Sequence, residues 1–311
     1  MASTTTTLSN TVSIFYDKKF LERAKEMMVY DVGATMKALP RNSGKTVYFN
    51  RMSPLAKATT PLTEATNPSD VNMTSTIVSA TVAQYGNWVK VGDFYELTSI
   101  DEGLLEHVST LGQNAGETLD ELIKDELAGG GTTQLANSVA AVSSIASSDT
   151  VDGAEIRKAV RTLKLNKARP FEDNHFKAII PVSCVYDLRG DSEWLDAHRY
   201  TDAENIKNGE IGRLHGVKFH ETNNEEVEAD AGAGNVDVYS TFIFGKSAYG
   251  IVDIGSTSEP IIYTKKPDAS STDNPLNLFM TVGWKANFVA KVLNSDWLIE
   301  LKSASTVGAN S

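Results

Sequence analysis

A few residues of this chain have types and a spacing that could perform chemistry. Gly44-Lys45-Thr46 resembles the end of a phosphate-binding loop, in which backbone N–H groups hold the phosphates and the lysine neutralises their charge. That loop needs a glycine five positions before Gly44, where Leu39 stands, and a helix after the lysine, where a strand is predicted. We therefore expect a turn that leads into a strand, and no nucleotide site.

The histidines and the cysteine could ligate a metal or act as nucleophiles. No two histidines have the spacing of a zinc-binding helix, and they are scattered as His107, His175, His198, His215 and His220. The single cysteine, Cys184, stands beside Val182 and Val185, which favours a small buried hydrophobe. A single cysteine also excludes an internal disulfide.

Serine and carboxylate chemistry is not indicated either. No serine lies in a Gly-x-Ser-x-Gly elbow. Adjacent carboxylates such as Asp101-Glu102 are explained by a solvated face without acid/base work. The sequence thus predicts no catalytic residue, no cofactor, no metal and no enzyme.

The composition indicates a globular chain. It has 311 residues, 41% of them hydrophobic, and a formal net charge of −11. That length is enough for one elaborate domain or two ordinary ones. The acidic balance argues against a protein whose main task is binding nucleic acid, since phosphate neutralisation needs a basic face. No stretch approaches the roughly 20 apolar residues that span a bilayer, so no membrane partner is expected.

The first third of the chain predicts an arm, a helix and an extended hairpin. A helical pattern runs from Tyr16 to Leu39 and ends at Pro40. Residues 45–51 and 77–91 alternate like strands, and the polar segment 53–76 between them has few large apolar side chains. A second strand of that length would span roughly 50 Å, too long for one small sheet. We expect the hairpin to project and to need another surface.

The strongest predicted helix follows. Ser99 and Glu102 fit a capping box, and the amphipathic run ends at Gly129, which gives a spine helix of about 45 Å. Its apolar stripe consists of Leu104, Val108, Leu111, Ala115, Leu119, Leu122 and Ile123. The opposite face is predicted to be acidic, with Glu106, Glu117, Asp120, Glu121, Asp125 and Glu126.

A second part alternates helix and strand. The small polar residues from Gly131 to Asp149 are the predicted boundary, and a helix over 152–165 follows, with Arg157, Lys158, Arg161 and Lys164 outward. This face is the only basic cluster, and it is interpreted either as a solvated surface or as a contact with DNA or with a neighbouring copy's spine helix. Strands are predicted at 176–180, 216–222, 236–244, 260–264, 277–288 and 289–301.

The order of these elements resembles the major capsid proteins of tailed bacteriophages, which have the Hong Kong 97-like fold, and within them most closely the N4-like branch. The likeness covers nearly the whole chain, and each of its motifs alone is weak. The motifs that carry it are Tyr16-Asp-Lys-Lys-Phe20-Leu-Glu-Arg, Pro61-Leu-Thr-Glu64, Gln84-Tyr-Gly86 before Val89-Lys-Val91, Glu117-Thr-Leu-Asp120, Gly209-Glu-Ile-Gly212 with Gly216-Val-Lys-Phe, and Phe242-Ile-Phe-Gly245.

The resemblance implies an α+β capsid fold with five regions. These are an N-terminal arm and helix (1–40), an extended hairpin loop (41–97), the spine helix of a peripheral domain (98–149), an α/β axial domain (150–257), and C-terminal strands that return to the peripheral domain (258–311). Some relatives crosslink through a lysine in the extended loop. Lys57 is the only lysine near this tip, but no motif places its asparagine and acid partners, so crosslinking is not carried over to this chain and stays open.

The resemblance also implies partners. Identical subunits would form hexamers and pentamers of an icosahedral shell around double-stranded DNA, assembled in the host cytoplasm, with a portal and with scaffolding or decoration proteins, if present, as separate chains. Packaged DNA would be enclosed with little specific contact, because an acidic wall binds it weakly. Contacts between subunits are expected at Lys57, Glu64, Glu117, Asp120, Glu121, Asp125, Arg157 and Arg161.

Three other classes of protein remain open on the sequence. An encapsulin-type compartment shell would share the fold but enclose enzymes. A tail-tube protein is disfavoured by the long helix, since tube subunits are mainly sheet. An α/β enzyme built on 150–255 would need a pocket with converging perturbed side chains.

Overall fold

The computed structural model describes residues 9–40, 42–53, 55–64, 66–98, 103–198, 210–254, 260–265, 274–276 and 278–307. The helices are α1 Ser9–Met27, α2 Asp93–Thr98, α3 Gly103–Leu127, α4 Gly153–Leu165, α5 Val182–Gly190 and α6 Ser192–His198. The strands of the first half are β1 Thr35–Leu39, β2 Thr46–Met52, β3 Ser75–Thr81, β4 Ala83–Gly92, β5 Thr132–Leu135 and β6 Phe176–Pro181. Those of the second half are β7 Glu210–Leu214, β8 Val217–Thr222, β9 Val227–Glu228, β10 Val238–Phe244, β11 Tyr249–Ile254, β12 Ile261–Lys265, β13 Phe279–Phe288, β14 Ala290–Val292 and β15 Leu298–Ser303.

The spine helix α3 organises one of the two large cores. Its 25 residues give a length of about 38 Å. The predicted stripe is confirmed where the side chains are described. Leu122 is partly buried and packs against the core, and the other members are buried, namely Val108, Leu111, Ala115, Leu119 and Ile123. They pack with inward side chains of β10, β11 and β13. The proposed cap at Ser99 and Glu102 lies outside the described residues.

Helix α1 lies against α3 at a glycine-lined contact. A Cβ on Gly112 would lie 2.7 Å from the carbonyl oxygen of Phe20, and one on Gly116 would lie 2.3 Å from that of Ala24. The two glycines are one turn apart, as are Phe20 and Ala24, so the helices meet along matching faces. Phe20 and Ala24 are each 1% exposed, which makes α1 part of the core.

The helix predicted from Tyr16 to Leu39 is wrong in its last part. Helix α1 ends at Met27, and after a turn the chain forms strand β1, which pairs in parallel with β11. Burial along β1 alternates, as expected for a strand. The backbone partners of β1 lie about two hundred residues further along the chain, so local periodicity could not reveal them.

The strand predicted over 77–91 is divided between two sheets. Strand β3 pairs with β2 in antiparallel orientation, which confirms the hairpin. The pairing extends from Thr46 opposite Thr81 to Met52 opposite Ser75. After Val82 the chain continues as β4, which pairs with β13 along its whole length. The strands β3 and β4 are separated only by Val82, so one extended segment contributes both to the hairpin and to a second sheet. That sheet packs over α3 and has three strands in the order β12–β13–β4.

The α/β part is built on a sheet whose path runs β5–β15–β10–β6–β8–β7, with β9 beside β10. Helix α4 begins as predicted, because Asp152 caps it by accepting the N–H of Glu155 at 2.8 Å. Ile156, Val160 and Leu163 of α4 are buried in the second large core. Cys184 is also buried there, as predicted, and burial raises the pKa of its thiol to about 12.

The terminal strands are distributed over three sheets, which differs from the expectation that they return together. Strands β12 and β13 join β4, whereas β14 joins β11 and β1. Strand β15 lies between β5 and β10, inside the seven-stranded sheet. The segment 289–301 is broken by a 3₁₀ turn at Ser295–Trp297, which redirects the chain from one sheet to the other. The boundary segment after Gly131 likewise contributes β5 to this sheet.

No helix among these described stretches combines the length and the apolar character that crossing a bilayer requires.

Candidate functional site

The hairpin of β2 and β3 carries an extended tip, residues 53–76. The tip begins where the Ser53 N–H donates to the Thr74 carbonyl oxygen at 2.9 Å. Among its described residues almost every side chain is exposed. Four large apolar side chains are among them, namely Leu55, Leu62, Val71 and Met73, at 52–76% exposure. The tip therefore presents apolar surface that its own subunit does not cover.

Only the base of the hairpin is anchored. Val47 and Ala80 are buried with Leu39 of β1 and Val252 of β11. Further out, Tyr48, Met52 and Ile77 are each about 60% exposed. A two-stranded ribbon is marginal in water by itself, so this one needs a further surface.

Lys57 and Glu64 lie on the tip, as predicted. Both side chains are exposed, and within the described part of the chain neither makes an ion pair or a hydrogen bond. They are thus free to contact another molecule, although the structure does not bring them together with a partner.

The acidic side of α3 is only partly as predicted. Glu117 is exposed and accepts from the Gln113 side chain at 2.7 Å, and Glu121 pairs with Lys124 at 2.9 Å. Asp125 is exposed and has no partner among the described residues. Within those residues no ion pair joins this face to α4, so an internal contact with Arg157 or Arg161 is not formed.

The prediction that Asp120 faces outward is wrong. Its side chain is 1% exposed, and its Oδ1 accepts the backbone N–H groups of Val29 and Tyr30, both at 2.8 Å. These donors belong to the turn that follows α1. A carboxylate can satisfy two such donors where water is excluded, which is why an acid occupies a position beside the apolar stripe.

Asn224, in the loop after β8, connects this carboxylate to the next turn of the spine. Its Nδ2 donates to Asp120 Oδ2 at 3.4 Å, and its Oδ1 accepts from Lys124 Nζ at 3.2 Å. The Tyr30 hydroxyl donates to the Asn224 carbonyl oxygen at 2.9 Å. We call these four residues the Asn224 junction; it ties together the spine helix, the turn after α1 and the α/β part.

Burial dominates the electrostatics of the junction. It raises the pKa of Asp120, against the two backbone hydrogen bonds that lower it. It also raises the pKa of Glu226, which pairs with Lys124 at 3.4 Å. Burial raises the pKa of Tyr30, with the charge of Asp120 adding to the effect. The junction is a structural tie rather than an acid/base centre, because its groups are committed to one another.

The basic face of α4 has a partner that the sequence did not indicate. Arg157 pairs with Glu193 of α6 at 2.7 Å, and the imidazole of His215 lies 2.8 Å from the other oxygen of that carboxylate. Arg161 and Lys164, on the same face, have no ion pair or hydrogen bond through their side chains in the described structure. Together with Val160 and Leu165, these side chains line a groove of about 460 Å³.

The three-stranded sheet presents aromatic side chains to solvent. Trp88 and Tyr263 stand on either side of Gly283, where a Cβ would lie 2.6 Å from Trp88 Cβ. Lys90 lies over the rings of Trp88 and Phe279, and Lys285 over that of Tyr263. With Trp88 56% and Tyr263 49% exposed, this is a further uncovered apolar surface.

Sequence reasoning missed Asn224, Glu193 and the aromatic pair around Gly283. Asn224 and Glu193 lie in polar segments where nothing distinguishes them from solvated residues. The only available signal was at Asp120, an acid adjacent to the apolar stripe position Leu119.

The same arrangement of elements occurs in solved structures of other proteins. No protein family and no curated protein matches the chain by sequence. Solved structures do match it, among them the capsid of Ralstonia phage GP4, with a TM-score of 0.74 and 14% identity over 92% of this chain and 93% of that one. The cyanophage Pam1 capsid matches with a TM-score of 0.67 and 16% identity, over 93% of both chains.

A virus-like particle from Pyrococcus furiosus also matches, with a TM-score of 0.54 and 11% identity over 93% of this chain and 99% of that one. The class of fold is therefore that of shell-forming capsid subunits. The chain has the α+β, Hong Kong 97-like capsid fold, and the fold class predicted from sequence is confirmed.

Proposed function

We propose that this chain is the major capsid protein of a tailed bacteriophage. Copies of it would form the hexamers and pentamers of an icosahedral head that encloses double-stranded DNA. The observation that carries the proposal is the uncovered hairpin tip, in a fold that matches capsid subunits over more than nine-tenths of its length. A protruding apolar ribbon makes head-to-tail contacts, and such contacts close into rings and shells when they repeat.

The proposed regions follow the capsid arrangement. Residues 1–40 would be the arm and first helix, 41–97 the extended loop, 98–149 the spine of the peripheral domain, and 150–257 the axial domain. The strands of 258–311 would complete these domains, with β15 serving the axial sheet in which it lies. The assignment to the N4-like branch remains part of the proposal.

The contacts between subunits would use the exposed polar and apolar groups described above. Lys57 and Glu64 on the tip, and Glu117, Glu121 and Asp125 on the spine, are accessible to a neighbouring subunit. Asp120 does not belong to this set, because its own subunit buries it. Many weak contacts of this kind add up to a stable shell through multivalency.

The remaining partners are proposed on the same basis. A portal, separate scaffolding or decoration proteins, and packaged DNA would complete the particle, which would assemble in the host cytoplasm. We infer that the role is structural and involves no catalysis.

A compartment shell that encloses protein is the second candidate, and the match to a virus-like particle of Pyrococcus furiosus favours keeping it. Negative-stain microscopy of the purified chain tests both candidates. Closed icosahedral particles are expected, and a monodisperse monomer under all conditions would contradict either candidate. Nucleic-acid content separates them, since particles from infected cells should hold DNA rather than enzyme.

A further inference from the structure

We propose that the groove between α4 and the β7–β8 turn is a binding site for phosphate oxyanions, filled by the phosphodiester backbone of nucleic acid. We call it the α4 groove and define it by its lining residues, Arg157, Val160, Arg161, Lys164, Leu165 and His215. This inference rests on the proposed function, because it names what one surface of the subunit would meet inside a particle.

The helix geometry places three cations in a row. Arg157, Arg161 and Lys164 are spaced four and three residues apart on α4, so they share one face of the helix. Four residues correspond to about 6 Å along the axis. Beside them Val160 is buried, while Leu165 is 63% exposed and supplies an apolar wall.

Glu193 holds two side chains of the groove in place without neutralising all of its cations. Both oxygens of Glu193 are occupied, one by Arg157 at 2.7 Å and the other by His215 at 2.8 Å. That carboxylate therefore holds the two side chains of the rim, and among the described residues it forms no ion pair with Arg161. Among the described residues of the groove, three cations stand beside one carboxylate, so the charge of these side chains is positive.

Two of the cations at the groove have no acid of their own. With a net charge of −11, carboxylates are abundant, and ten of the described lysines and arginines pair with one. Arg161 and Lys164 have not, although both are exposed and long enough to reach neighbours. An unneutralised pair beside a groove indicates an anionic ligand from outside the subunit.

A phosphate fits these donors better than a neighbour's carboxylates do. A guanidinium presents a planar fork that binds phosphate oxygens in pairs, and a lysine adds a point charge. The acidic face of a neighbour's spine, where Glu117, Glu121 and Asp125 are accessible, is the alternative occupant, and the assembly of the groove variant tests it. A groove open to solvent also suits a rod-like polyanion that passes across it.

The test uses the full-length chain and two probes, a short fluorescent DNA duplex and inorganic pyrophosphate. We compare wild type with Arg161→Gln/Lys164→Gln and with the control Lys18→Gln/Lys19→Gln, which removes the same charge from α1. Wild type should bind the duplex, and the groove variant should bind about tenfold more weakly. The slope of log K against log salt concentration should also become shallower, by the amount that about two phosphate contacts contribute. The α1 control should bind like wild type.

The two probes distinguish the sources of the phosphate. Duplex binding that the groove variant loses assigns the groove to a nucleic-acid backbone, and displacement of the duplex by pyrophosphate shows that the groove holds it through phosphate oxygens. Pyrophosphate binding that the groove variant loses, without duplex binding, supports an oxyanion site but assigns it to a small phosphate. Circular dichroism and the single variant Arg161→Gln exclude a folding defect as the cause of any loss.

Several results would overturn the inference. These are no binding of either probe, equal loss in the α1 control, or unchanged duplex binding in the groove variant. A groove variant that binds the duplex normally but no longer assembles would instead make the groove a contact between copies. Microscopy of wild type tests the proposed function independently of the binding assay. If wild type forms no particles, the proposed function is contradicted, but phosphate binding by the groove can still be measured.

Discussion

The carboxylate of Asp120 accepts the backbone N–H of Tyr30 at 2.8 Å, across 90 residues of sequence. It accepts the N–H of Val29 at the same distance, and Tyr30 in turn reaches the carbonyl of Asn224 through its hydroxyl. One buried acid on the spine helix thus fixes the turn after α1 and indirectly the loop after β8. The stability of the subunit should depend on this tie, whereas assembly should depend on the exposed surfaces.

Asp120→Ala should destabilise the subunit. It leaves the buried N–H of Tyr30 and the part-buried N–H of Val29 without an acceptor. An unsatisfied buried donor costs about 1–3 kcal/mol, so we expect a loss of roughly 2–4 kcal/mol. Urea unfolding followed by circular dichroism measures this loss. The matched control is Asp125→Ala, an exposed acid on the same helix without a described partner, which should change stability by less than about 0.5 kcal/mol. Equal effects of the two variants would contradict the role of Asp120.

The free energy of unfolding should fall as pH rises through the titration of the buried acids. The ordinary pKa of an aspartate is 3.8, and burial raises the pKa of Asp120 above it. Burial raises the pKa of Asp31 and Glu226 in the same direction. Between the unfolded and folded pKa values the folded state binds more protons, so the contribution of Asp120 to stability is greatest below pH 3.8 and is lost as pH rises through its folded pKa.

Asp120→Asn tests this sign. The variant keeps an oxygen acceptor but cannot titrate, so its stability should depend less on pH in this window than that of wild type. The hydrogen bond with Lys218 lowers the pKa of Asp173, so the contribution of Asp173 to stability increases as pH rises. Because this contribution is the same in wild type and in Asp120→Asn, it cancels when the two are compared. A wild-type slope no steeper than that of Asp120→Asn would refute the assignment.

Gly116→Ala should loosen α1 from the spine. Alanine is the better helix former by about 1 kcal/mol, yet its Cβ would lie 2.3 Å from the Ala24 carbonyl oxygen and 2.9 Å from Met27 Cβ. Overpacking of this kind costs roughly 1–3 kcal/mol, so we expect a lower melting temperature. Gly190→Ala is the control, because a Cβ there meets nothing within 4 Å and should not lower it.

Removing the hairpin tip should leave a folded subunit that does not assemble. Ser53 and Thr74 are already joined by a backbone hydrogen bond, so an Asn-Gly turn can connect the strands there without disturbing the β2–β3 register. The exposed tip contributes little to the core, so the unfolding transition should stay within about 1 kcal/mol of wild type. Light scattering should show no shells, and normal shells from this variant would defeat the proposal.

Charge on the outer side of the spine should make assembly depend on salt. Glu117, Glu121 and Asp125 are accessible, and exposed charges are screened within about 8 Å at physiological ionic strength. The triple change to uncharged amides (glutamine for each glutamate, asparagine for the aspartate) should alter the rate of assembly and reduce its dependence on salt, as followed by light scattering. Assembly of wild type that is equally fast in low and high salt would count against these contacts.

The sequence alone determined the elements whose signal is local. The stripe of α3, helix α4 and the β2–β3 hairpin follow from periodicity and turn chemistry, and the order of these elements was enough to predict the fold class. The same local reasoning correctly found Cys184 to be buried. Each of these features depends on residues a few positions apart, where side-chain type and spacing decide the outcome.

Only the tertiary structure decided which distant segments meet. Residues 35–39 form a strand because they pair with β11, and β15 lies inside the seven-stranded sheet. Asp120 points inward and accepts from Tyr30, and Arg157 forms an ion pair with Glu193. In each case a backbone or charged group found its partner tens to hundreds of residues away. The free energy of such a contact depends on burial and on the position of the partner, and neither is encoded in the local pattern around either residue.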